Sequence, residues 1–302
     1  MANPVPNIKG GVDMICEGTG ILQDIRLLGN GQNNNVIVEG NNTTVLDNIF
    51  GANSSVYSMS DNTLLTGNTV TLNDNIFAGN NVVGASITLN NSKNLTVTGN
   101  SVTLNDNAHV VREALGAYIE SSGTSDITVA GNSVTLNDNA YLTETAIGGV
   151  GYSYHTGNVT VSGNSVTFNN NAGVPFYVRG GGGISYDTGN IIVAGNSVTL
   201  NDNAGVNNTN HGTIYGGWVE KMGVGNITMT ENSVTLNDNA YVNNDIYGGY
   251  VDAFGDLVTS INITDNTVNI RNSARVSGSL YGGFIDGPGT AGYYDSFTGN
   301  TL

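Results

Sequence analysis

Residues 131–140 read GNSVTLNDNA, and nearly the same ten residues recur along most of the 302-residue chain. Anchored on the Asn before [Ser/Thr]-Val, the copies begin at Asn68, Asn100, Asn132, Asn164, Asn196, Asn232 and Asn266, at intervals of 32, 32, 32, 32, 36 and 34 residues. Inside each copy the apolar residues stand two apart: Val102 and Leu104 point one way, Ser101 and Thr103 the other. That is the period of a strand and not of a helix. Two further strand-like runs complete the unit, one around IYGGYV (246–251) and one around DITV (126–129). Turn-forming Gly and Asn separate them.

A repeat of this length suits a solenoid or a propeller. A propeller blade needs four strands in a longer unit with its own signature residues, which are missing here. The pattern therefore predicts an all-β fold: a right-handed, single-stranded parallel β-helix of about eight coils, 32–36 residues each, with three strands per coil. Stacked at the inter-strand spacing, such coils span roughly 35–40 Å. Val70, Val102, Val134, Val166, Val198, Val234 and Val268 form one expected internal column, and Leu72 through Phe168 to Ile270 a second. The stretch NNNVIVEGNNTTVLDN (33–48) looks like an earlier, degenerate copy, so residues 1–60 are assigned to degenerate coils or a cap and 61–302 to regular repeats. The chain stops two residues after Asn300, inside another copy, and is expected to be a piece of a longer array.

Composition agrees. Charged residues make up 11% and apolar ones 38%, with 43 Gly and only 4 Pro. Regularly placed Val, Ile, Leu and Tyr distinguish the chain from a disordered low-complexity segment. The net charge of −16 repels nucleic acid and anionic lipid. No run of apolar residues is long enough for a membrane helix, and MANPVPNIKGG lacks the pattern of a signal peptide. One cysteine, Cys16, precludes an intrachain disulfide and leaves the compartment open.

Stacking identical copies also aligns their polar residues. The anchor Asn residues are expected to form an amide ladder and to occupy left-handed turns; Thr71, Thr103, Thr135 and their equivalents should form an outer ladder. Asp74, Asp106, Asp138, Asp202 and Asp238 fall in one column, with Asn170 and Asn272 as substitutes. Aligned carboxylates repel, which favours either a solvated turn or a bridging calcium ion; the GGxGxD calcium repeat is missing. The third feature is the aromatic after each glycine pair: Tyr118, Trp218, Tyr250 and Phe284, with Val150 in the same series. These rings either fill a wide corner of the coil or form an outward stripe for sugars or proteins. Three positions earlier stand Leu115, Ile147, Tyr215, Tyr247 and Tyr281; strict alternation would put the two members of each pair on opposite faces. The repeat breaks at 172–183, at 205–226 (an insertion with His211, Trp218 and Lys221) and at 285–297; these are either loops on a binding face or ordinary drift between copies.

His109, His155 and His211 are isolated, and the acids are spread one per coil, so no triad, zinc site or clustered carboxylate pair is apparent. The reading is non-enzymatic, with no cofactor.

The stretch GNSVTLNDNA…IYGGYV…GNITV resembles the passenger region of bacterial autotransporter (type V secretion) adhesins, over roughly residues 60–302. That resemblance implies a β-helical stalk on the bacterial surface, exported across the outer membrane, which contacts glycans or proteins of host or bacterial cells. A phage tailspike-like polysaccharide-binding β-helix and a self-assembling extracellular filament are the alternatives. Unpaired strand edges at a coil end would permit end-to-end association in any of these settings.

Overall fold

The computed structural model describes residues 13–28, 33–40, 43–56, 62–89, 94–208, 212–254, 258–287 and 294–302. Among them there is no helix. Strands from successive repeats pair in parallel to build four long sheets, three of nine strands and one of eight. The coil from Asn132 shows the plan: Ser133–Leu136 lies in sheet 1, Tyr141–Leu142 in sheet 2, Ala146–Ser153 in sheet 3 and Val159–Ser162 in sheet 4. Three of these are the strands expected from sequence. Sheet 2 is additional, and its strands are two residues long, too short for alternation to reveal.

The register is that of the repeat. Val102 pairs with Val70 and Val134, and Leu104 with Leu72 and Leu136. The columns continue to Val268 and Ile270. The valines are fully buried from Val36 to Val234, and each such side chain removed from water contributes about 1.5–3 kcal/mol. The degenerate first copies belong to the same stack: Asp13–Glu17 pairs with Asn35–Glu39, which pairs with Thr69–Leu72. At the other end Thr301 bridges to Thr267.

The coil is pinched into two lobes. Val134, Leu136, Leu142 and Ala146 belong to one apolar core, and Val129, Val159 and Val161 to another. Sheet 3 spans both. In the strand Ile246–Ala253, Ile246 packs in the first core and Val251 and Ala253 in the second. Between them sheet 3 dips until its backbone meets the start of sheet 1. A Cβ on Gly180 would come 2.5 Å from the Gly216 carbonyl and 2.7 Å from the Ser197 nitrogen, both backbone atoms. The eight copies from Gly51 to Gly282 all have Gly here, because only a residue without a side chain allows this approach; the first strand of the sheet, Ile25–Leu28, has Leu27 and an irregular register instead. The next residue faces the buried anchor Asn: a Cβ on Gly181 would meet Asn196 Oδ1 at 2.4 Å. Ala117 and Ala85 occupy that second position in earlier coils, where the facing side chain accommodates one methyl.

The anchor Asn residues line the waist from the opposite side, fully buried. Asn132 Nδ2 donates to Asn164 Oδ1 at 2.9 Å, and Asn164 Nδ2 to Asn196 Oδ1 at 2.9 Å. Each Oδ1 also accepts the backbone N–H of the preceding rung's Asn. The ladder runs from Asn34 to Asn300. One expectation is corrected: the left-handed residue is not the anchor Asn but the one before it. Gly99, Gly131, Gly163 and Gly195 have φ of 61–63°, and Glu231 and Asp265 stand in for Gly at 57° and 58°. That placement lets the anchor amide turn inward instead of toward solvent.

Candidate functional site

The pinch determines where the aromatics go. Two consecutive residues at the waist, such as Gly248 and Gly249, both turn toward the interior, so the alternation slips by one. The ladder records the slip: Tyr215 pairs with Tyr247 and Gly217 with Gly249, with Gly216 left out between them. Rings three positions apart therefore share the outer face, and the expectation of opposite faces is corrected. Tyr247 and Tyr250 meet edge to face at 5.0 Å, and Tyr281 and Phe284 at 4.9 Å. Along the stack Tyr215, Tyr247 and Tyr281 lie parallel at 5.3 and 4.8 Å, and Tyr250 and Phe284 at 5.6 Å.

The outer side of the waist is thus a notch, filled by two columns of its own side chains. In the early coils the filling is aliphatic: Val83, Leu115, Ile147 and Val150 are all at most 4% exposed, with Phe50, Tyr118 and Tyr152 packed against them. In the late coils it is aromatic. Of the four rings singled out from sequence, Trp218 is 8% exposed, while Tyr118, Tyr250 and Phe284 are half-buried. The Tyr118 hydroxyl donates to Glu120 Oε2 at 2.7 Å and that of Tyr250 to Asp286 Oδ2 at 3.1 Å. Burial, reinforced by these carboxylates, pushes both phenols well above the usual tyrosine value.

Acids border the notch. Glu220, Asp252 and Asp286 occupy one column on successive rungs. Burial first, then Asp286 and Glu220, raise the Asp252 carboxyl to about 6. Midway along the notch stands a cation. Arg179 follows Ile147 and precedes Tyr215 in the column, and its guanidinium lies 4.0 Å from the Trp218 ring centre. Burial lowers its pKa below the usual arginine value.

The Asp column lies on a different edge. Asp74, Asp106, Asp138, Asp202 and Asp238 are exposed, with left-handed φ of 56–62°. Asp106 Oδ2 accepts the Asp74 backbone N–H at 3.3 Å, and Asn170 Nδ2 donates to Asp138 Oδ1 at 2.8 Å. Amide ladders that sequence reasoning missed flank the column: Asn137 to Asn105 at 2.7 Å on its half-buried side and Asn139 to Asn107 at 3.2 Å on its exposed side. The repeated Asn on both sides of Asp was the available signal. Among the described residues no three His, Cys, Asp or Glu side chains are grouped to hold a metal.

His109 sits between Phe77 and Tyr141 in sheet 2, its Nε2 2.9 Å from Thr143 Oγ1. His155 is exposed at a turn after sheet 3, and His211 lies outside the described residues, as does 288–293 of the 285–297 loop. Lys221, expected in a surface loop, is fully buried. Its Nζ donates to Ser185 Oγ at 2.9 Å and to the Asp187 carbonyl at 2.5 Å, and burial lowers its pKa to about 8. Just past it an apolar corner runs through exposed Tyr154, Met222 and Phe254 and half-buried Tyr186, with the two Tyr rings stacked at 5.1 Å.

Among the described residues no helix is long and apolar enough to cross a membrane. Comparison with protein-family models, with curated proteins and with solved structures finds no match.

Proposed function

We propose that this chain is a non-enzymatic stalk segment of a bacterial surface adhesin, exported across the outer membrane in the autotransporter manner, and that it contacts glycans or proteins of host or bacterial cells. The observation that carries the reading is the unbroken Asn ladder from Asn34 to Asn300. It ties each coil to the next through buried, mutually satisfied amides, which suits a part that must hold its shape over distance. The anchor and flanking amides are spent on neighbouring rungs rather than gathered at one catalytic point. The half-buried rings of Tyr118, Tyr250 and Phe284, beside the acids of sheet 3, supply a contact surface along the rod; Trp218 lies beneath it.

The test has two readouts. An antibody raised against the folded chain should label intact cells that express the parent polypeptide, and protease added outside should remove that label. Surfaces coated with the chain should retain host or bacterial cells, and Tyr250→Ala with Phe284→Ala should weaken retention while the melting transition survives. A segment found only inside cells, or retention indifferent to both changes, would overturn the reading.

A further inference from the structure

We propose that Arg179 is the anion-binding centre of the notch and takes the carboxylate of an acidic sugar. This rests on the contact-surface reading above and gives it a ligand chemistry.

The argument starts from a comparison within one column. Arg26 and Arg179 occupy the same outward column of sheet 3, linked by register through Phe50, Val83, Leu115 and Ile147. Both lie over aromatic rings, Arg26 over Phe50 and Arg179 over Trp218. Arg26 is neutralised by Asp24, two residues earlier, at 2.5 Å. The residue two before Arg179 is Tyr177, whose ring lies 5.6 Å from the guanidinium carbon. Tyr215 lies 5.8 Å away on the next rung. The place of a counterion is taken by rings.

The other ion pair among the described residues is Arg112 with Glu144, so no described carboxylate within 4 Å serves Arg179. Glu113 and Glu220 face it only at longer range. Its Nε is buried with no hydrogen-bond partner, as is that of Arg26, while the residue as a whole is half-buried. A guanidinium carries five donors in a planar fork that fits a carboxylate. An Nε–H buried among rings has lost hydration without gaining an acceptor, and an arriving anion supplies what is missing. Gly182, between Val150 and Trp218 in its column, is where the Trp218 ring beds down: a Cβ there would meet Trp218 Cε3 at 3.3 Å and Val150 Cγ2 at 3.5 Å.

The rest of the molecule restricts which anion. With a net charge of −16 and acids at Glu113 and Glu220, a polyanion is repelled. A single carboxylate on an otherwise neutral, hydroxyl-rich ring is not, and tyrosine faces and hydroxyls suit such a ring. An acidic sugar at the end of a glycan fits better than an acidic peptide.

Trp218 is the only tryptophan in the chain and touches the proposed centre, so its emission reports on the site. The full chain is titrated with glucuronate, with glucose at equal concentration and ionic strength, and with a short Glu-rich peptide; calorimetry accompanies each titration. Glucuronate should give a saturable response at least tenfold stronger than glucose, lost in Arg179→Met. Tyr177→Asp provides a second route, since it restores the counterion that Arg26 possesses, and should also abolish the response in a chain whose circular dichroism is unchanged. Equal responses to glucuronate and glucose, or a response that survives both substitutions, would refute the assignment. A stronger response to the peptide would refute the sugar. Cell retention that is undisturbed in Arg179→Met sinks this centre and leaves the adhesive role standing, whereas saturable glucuronate binding by a chain that retains no cells does the reverse.

Discussion

Replacing Asn164 by Ala removes one rung from the middle of the buried amide ladder, and the structure says what is lost. Asn164 Oδ1 accepts the Asn132 backbone N–H at 2.9 Å and Asn132 Nδ2 at 2.9 Å. Its own Nδ2 donates to the Val129 carbonyl at 3.0 Å and to Asn196 Oδ1 at 2.9 Å. The truncation leaves the Asn132 N–H unsatisfied where water does not reach, a cost of about 1–3 kcal/mol; the remaining bonds, partly replaced by other acceptors, add roughly 0.5–1 kcal/mol each. A total loss of about 2.5–6 kcal/mol follows. The control is Asn171→Ala, in a ladder of similar geometry at 3.2 Å to Asn139 but on the exposed edge. Water replaces its partners, so the change should stay within about 0.5 kcal/mol. Urea denaturation followed by circular dichroism separates the two: with a slope of about 3 kcal/mol per molar, Asn164→Ala lowers the midpoint by roughly 1 M or more. Hydrogen exchange at the Asn132 amide should accelerate in the first variant and not in the second. Equal losses from both, or less than about 1 kcal/mol from Asn164→Ala, would refute the idea that the buried ladder holds the coils together.

Other changes probe the waist, the buried lysine and the Asp edge. Gly180→Ala sets a methyl against backbone atoms of two other strands and should cost more than about 2 kcal/mol, whereas Gly181→Ala, at a position filled by Ala117 in another coil, should cost several times less in the same denaturation assay. Lys221 has a folded-state pKa of about 8, below its ordinary 10.5; the unfolded chain therefore holds a proton that the folded chain has released, and stability rises with pH across that window. Tyrosines with raised pKa act in the opposite sense above about 10, so the stability difference between wild type and Lys221→Met is the quantity to follow. It should climb from about pH 8 to 10.5 and be flat below, and a flat difference throughout would contradict the buried contact. Excess chelator should leave the melting temperature unchanged, because the Asp column is exposed and its carboxylates accept from neighbouring rungs; a fall on chelation would show a bridging cation.

Legibility followed the range of the interactions. Val102, Leu104 and Asn132 could be assigned to columns from spacing alone, since copies 32 residues apart place like side chains over like. Sheet 2 escaped notice because two-residue strands have no period. Strict alternation places Tyr247 and Tyr250 on opposite faces because it presumes an unbroken ladder, and the slip at Gly248 comes from backbone contact with Thr267 and Gly282, from strands later in the chain. The burial of Lys221 depended likewise on Ser185 and Asp187 of the rung before it.

By itself, the sequence determined that this chain winds into stacked parallel coils and which residues share each column, because a repeat in register satisfies apolar burial and amide pairing at once. The tertiary structure alone decided that the coil has two lobes, that the rings crowd into an outer notch and that Arg179 stands there without a counterion. Those outcomes depend on how sheet 3 closes against sheet 1 across the coil, where backbone meets backbone and no local pattern is written.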